Sequence, residues 1–154
     1  MKRYARLMFL SLFYLIPTLV LAANHYVRAG ATGSNNGSDW NNAWTSLPAN
    51  LIRGDVYYIA DGNYPEYIFD EAASGSAYIY LKKAIASDHG TETGWNSTYG
   101  DGQGFFGVFT FLTGYYEIDG QVGGGPTRWK SGHGFKMKAT SGNQKKKSSG
   151  SRMA

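Results

Sequence analysis

Apolar residues fall in two different patterns along this chain. Leu7 to Leu21 is an almost unbroken apolar run. Beyond it, apolar residues gather in short clusters parted by Gly, Ser, Asn and Asp, and no stretch keeps the helical period of 3.6 for long. Short clusters between turn residues predict strands. They fall at Tyr26 to Arg28, Val56 to Ala60, Tyr67 to Phe69, Ala77 to Leu81, Phe105 to Leu112, Tyr115 to Asp119 and Gly134 to Lys138. Val56 to Ala60 is apolar throughout, as befits a strand buried on one face and stacked on the other. Tyr115 to Asp119 alternates, with Tyr116 and Ile118 on one face and Tyr115, Glu117 and Asp119 on the other.

The clusters begin near residues 56, 67, 77, 105, 115 and 134, about ten apart except for two excursions, Ser87 to Gly104 and Gln121 to His133. One segment predicts a helix. Over Trp40 to Arg53, Ser46 is a cap, Pro48 sits in the first turn, and Trp44, Leu47, Leu51 and Ile52 share a face. Such a helix would cover the open end of a sheet stack. The strand pattern alone allows two all-β architectures: a solenoid of short parallel strands or an antiparallel β-sandwich. In the second, Asp61-Gly62 and Asp119-Gly120 would close hairpins.

The apolar run changes the picture of location. Lys2, Arg3 and Arg6 precede it, and Val20-Leu21-Ala22 offers a cleavage site after Ala22, so residues 1–22 read as a secretory signal peptide. The protein is then extracellular or periplasmic, with no stable membrane insertion after cleavage. A 154-residue chain has room for one domain, here 23–139, and it contains no cysteine. Residues 140–154 carry Lys145-Lys146-Lys147 and hardly any apolar residue, which predicts a disordered basic tail.

Charge is misleading when taken as a total. The net is +4, but three bases lie in residues 2–6 and six in residues 136–152. The stretch between holds six bases and all 11 acids, a net of −5. An acidic body argues against nucleic acid as a partner.

The entrance of the body is the most distinctive stretch. Tyr26-Val27 leads into a Gly/Ser/Asn turn ending at Asp39-Trp40, followed by Asn42-Ala43-Trp44. Gly54-Asp55-Val56 then leads to Ala60-Asp61-Gly62-Asn63-Tyr64, and Tyr115 to Gly120 repeats a strand that ends in Asp-Gly. In that order these elements resemble the first coil of pectate-lyase-like proteins. The resemblance covers roughly residues 25–138. It implies a right-handed parallel β-helix of about three coils, closed by the short N-terminal helix. It also implies kinship with polysaccharide lyases or hydrolases, a polysaccharide or surface glycan as partner, and calcium as a family cofactor. No position here matches the family's catalytic or calcium-binding residues, and the family runs for many more coils. The expectation is therefore the N-terminal part of such a protein, without a complete active site. A non-catalytic glycan-binding or adhesin-like β-helix is the alternative.

Candidate chemistry concentrates in the first excursion. Asp88, His89 and Glu92 lie close together, as a metal site or a proton relay requires. Trp95 and Tyr99 have flat faces on which a sugar ring can stack. The competing account is a folded loop whose polar side chains cap its own backbone. No metal-ligand spacing stands out. Asn35, Asn36, Ser38 and Asp39 lack the spacing of an EF-hand loop. Gly102 to Gly107 matches G-x-G-x-x-G but leads into a strand, where dinucleotide binding needs a helix. His25 and His133 stand alone, and no other cofactor motif is present.

Overall fold

Among the described residues, the alternation that begins at Asn24 becomes nine short strands. The computed structural model describes residues 21–123 and 132–137. Most of the proposed signal peptide and all of the predicted basic tail lie outside these residues. In chain order the strands are β1 (Asn24–Val27), β2 (Val56–Ile59), β3 (Gly62–Asn63), β4 (Tyr67–Phe69), β5 (Ile79–Lys83), β6 (Gly104–Phe106), β7 (Phe109–Phe111), β8 (Tyr116–Asp119) and β9 (Phe135–Met137). Among the described residues the only helix is one 3-10 turn, Ser97–Tyr99, and no helix is long and apolar enough to cross a membrane. The protein is all-β.

The strands form three sheets, ordered β1-β2-β5-β8, β3-β6-β9 and β4-β7, and every strand pair is parallel. This overturns the antiparallel sandwich. Asp61-Gly62 closes no hairpin, because β2 and β3 belong to different sheets. From β2 onward the chain passes through the three sheets in a fixed order and then repeats it.

Side chains of the four-stranded sheet divide by parity. His25, Tyr57, Leu81 and Ile118 share one in-register row on the inner face, and Val56, Tyr80 and Glu117 share one on the outer face. The inner residues join Val27, Ile59, Tyr64, Phe69, Ile79 and Phe106 in one core. Aromatic pairs line it: Phe69 stacks on Phe111, its β7 neighbour, at 4.5 Å, and Tyr64 on Phe106 at 4.9 Å. Each such pair adds about 0.5–1.5 kcal/mol beyond its buried area.

The predicted helix over Trp40–Arg53 does not form. Local hydrogen bonds hold the backbone in another shape. The Asn42 backbone and side-chain amides donate to the Asp39 carboxylate, and the Asn42 carbonyl accepts from Asn36 and Gly37. Trp44 bridges to Val27 as a parallel neighbour. Leu47 and Leu51 still enter the core, whereas Ile52 is 55% exposed, contrary to the helical face. Gly37 permits the turn before this segment: its φ is +71°, and a Cβ there would lie 2.6 Å from the Trp44 ring. Two strand boundaries also differ. The expected Phe105–Leu112 strand breaks in two at Gly107, where the chain packs against the Glu66 backbone. Gly62–Asn63, read as a turn, is a strand.

Candidate functional site

The excursion between β5 and β6 folds back over the outer face of β1 and β2. Trp40, Tyr26, Tyr58, Ala60 and Ala84 form a second buried cluster there, with Trp95 and Tyr99 packed against it. Trp40 is fully buried, and its indole N–H donates to the His89 carbonyl at 3.0 Å. Its backbone N–H donates to the Thr93 carbonyl at 3.1 Å. The loop approaches so closely that a Cβ on Gly94, φ +74°, would lie 2.5 Å from the Asn41 amide.

Four of the five expected site residues meet inside this loop. His89 stacks on Trp95 with ring centroids 4.1 Å apart and planes 9° apart. One ring nitrogen of His89 is 3.0 Å from the Glu92 carboxylate and the other 3.2 Å from the Ile85 carbonyl. Trp95 also meets Trp40 and Tyr99, and the Arg28 guanidinium lies 4.6 Å over the Tyr99 ring. One face of the Trp95 ring is thus occupied by His89, and one face of the Tyr99 ring by Arg28. Asp88 points elsewhere, to the Lys82 ammonium at 2.5 Å. Burial would raise the Asp88 pKa. Hydrogen bonds from Lys82 and the Tyr58 hydroxyl, with the Lys82 charge, outweigh this and hold it below the ordinary carboxylate value. The Lys82 pKa is raised chiefly by the same hydrogen bond, with Asp88 and Asp119 adding charge against a desolvation cost.

Lys82 leads to the outer face of β5 and β8. There, Tyr80 is the register partner of Glu117 and Lys82 that of Asp119. One step earlier, Tyr78 meets Tyr115 edge to face at 5.5 Å. Tyr78 and Tyr115 are 40% and 43% exposed. The hydroxyls of Tyr78, Tyr80 and Tyr115 and the carboxylate of Glu117 have no hydrogen-bond partner among the described residues. At ~3.3 Å per residue, the strip from Tyr78 to Lys82 is roughly 13 Å long. Tyr115 has φ +65°, unusual for an aromatic residue. The Arg53 guanidinium fixes it by donating to the carbonyls of Gly114 and Tyr115 at 2.9 and 2.7 Å. Glu117, Asp119 and Tyr115 were legible as outward-facing. Tyr78, Tyr80 and Lys82 were missed as site residues, although the alternation of Ala77 to Leu81 already contained the signal.

Other ionic features have a structural role. The Lys83 ammonium, buried on the inner face, is 2.7 Å from the Asp61 carboxylate and donates to the Ala84 carbonyl. This pair pins the Asp61-Gly62 corner. A cavity of about 450 Å³ lies between residues 63–66 and 105–107, with Glu66 its only acidic or basic side chain. Among the described residues no three His, Asp or Glu side chains converge as a metal site requires, so none is assigned to calcium.

No family model matches the chain, and no curated protein or solved structure matches it.

Proposed function

We propose that this chain forms coils of a secreted right-handed parallel β-helix whose outer sheet face binds polysaccharide. Repeated passage through three parallel sheets supports the β-helix, and right-handed crossover is the general rule for parallel strands. The observation that carries the binding function is the bare tyrosine strip of Tyr78, Tyr80 and Tyr115 beside Glu117. Flat rings with free hydroxyls on a rigid sheet suit a sugar chain, which offers both apolar faces and hydroxyls.

A lyase would need a base on this face. Lys82 is the basic side chain in register with the strip's Asp119, and its pKa is pushed up rather than down, which lowers the share of neutral amine that could take a proton. Binding therefore accounts for the face better than elimination does. The test is retention of the full secreted chain on insoluble polysaccharides, alongside Tyr78→Ala/Tyr115→Ala. Retention lost in the double variant, with unfolding unchanged, supports the proposal. Equal retention of both proteins sinks it.

A further inference from the structure

We infer that the glycan accepted by this face carries cationic amino sugars and is not a polyuronate. The inference rests on the proposed glycan-binding role and follows from where the charges are held. Between Asn24 and Asp119 the chain has four bases, and each is engaged. Arg28 lies over Tyr99 and donates to the Trp40 carbonyl. Arg53 is bound to backbone carbonyls around Glu71 and Tyr115. Lys83 is buried with Asp61, and Lys82 is paired with Asp88. None of these four is left to meet a uronate carboxylate; Arg128 and Lys130 lie outside the described residues.

The acids of the strip are differently placed. Glu117 is exposed, without a partner among the described residues. Asp119 receives the Gln121 backbone N–H on one oxygen, leaving the other open. With the Lys82–Asp88 pair nearly neutral, the strip keeps two uncompensated carboxylates beside three tyrosine rings. An ammonium is drawn both to carboxylates and to ring faces. A uronate is repelled by the first and gains nothing ionic from the second. Charge complementarity thus selects a polymer with protonated amines spaced along it.

The test is titration of the full secreted chain with three oligosaccharides of equal length, made of glucosamine, glucose and galacturonate. It is run at about pH 6, where the sugar amine holds its proton. Lys145→Gln, Lys146→Gln and Lys147→Gln are present in every arm, so that tail charge does not recruit the uronate. The glucosamine oligomer is expected to bind about tenfold more tightly than the glucose oligomer, with the galacturonate oligomer weakest. Glu117→Gln should remove most of that preference. Equal affinity for glucosamine and glucose, tightest binding of galacturonate, or a preference indifferent to Glu117→Gln overturns the inference while the glycan-binding role stands. A lysine oligomer bound as tightly as glucosamine also overturns it, since charge alone would then suffice. If no oligosaccharide binds, the glycan-binding role fails as well.

Discussion

The outer face of the four-stranded sheet is covered over β1 and β2 and bare over β5 and β8. Both halves carry outward tyrosines: Tyr26 and Tyr58 on one, Tyr78, Tyr80 and Tyr115 on the other. Over the first half, the β1–β2 connection lays Trp40, and the β5–β6 excursion Trp95 and Tyr99, across the tyrosines. Over the second, Tyr78 and Tyr115 remain 40% and 43% exposed. Tyr58 shares a hydrogen bond with Asp88, whereas the three tyrosines of the bare half keep their hydroxyls free. Strand alternation therefore does not decide whether an outward aromatic ring is core or surface. What the connecting segments lay over the sheet decides it, as Trp40, Trp95 and Tyr99 do over Tyr26 and Tyr58.

The largest expected effect breaks the covered half. Trp40→Ala removes a fully buried indole and its hydrogen bond to the loop. A loss of about 3–5 kcal/mol is expected in urea unfolding, with new proteolytic cleavage between residues 85 and 101. Tyr78→Ala on the bare half should stay within about 0.5 kcal/mol of the parent. If the two variants cost the same, the division of the face is wrong.

A smaller effect, of opposite sign, tests Tyr115. Its left-handed backbone costs roughly 1–2 kcal/mol, which glycine avoids. Glycine's extra freedom in the unfolded chain takes back about 0.5–1 kcal/mol. Tyr115→Gly should therefore raise stability by roughly 0.5–1 kcal/mol in the same urea series while weakening retention on polysaccharide. Backbone strain of this kind clusters at ligand sites, in line with the binding role proposed for Tyr115. A variant that loses stability would show that the contact with Tyr78 outweighs the strain.

The sequence made the strands legible because their signal is local. Ile79 and Leu81 face the core, as alternation requires, and Tyr116 and Ile118 do the same. The supposed helix failed because Asn42 and Trp44 find partners in residues 26–37, and such partners do not register in a 3.6 period. The site was half legible for a related reason. Asp88, His89, Glu92, Trp95 and Tyr99 are dense in sequence, and density drew attention to the loop. Tyr78, Tyr80 and Lys82 become a site only when β5 lies beside β8, and their distance in sequence from Tyr115 and Glu117 hid that pairing.

The smallest expected effect lies at the seam between the halves, where Asp88 of the covering loop holds Lys82 of the bare strip. Both side chains are partly exposed, so the pair contributes less than about 1 kcal/mol. Its pH dependence has a fixed sign. The folded-state pKa of Asp88 is depressed, so its stabilising effect is present at neutral pH and is lost as pH falls through that value. The pKa of Lys82 is raised, so its share persists at neutral pH and is lost only as strongly alkaline pH passes the raised value. Urea midpoints of the parent and Asp88→Asn should differ at pH 7 and converge near about pH 2. A gap that persists in acid would mean that the asparagine disturbs the turn at Ile85 to Asp88 sterically. The two halves would then be joined by backbone shape, and the strip's charge would be independent of the loop that borders it.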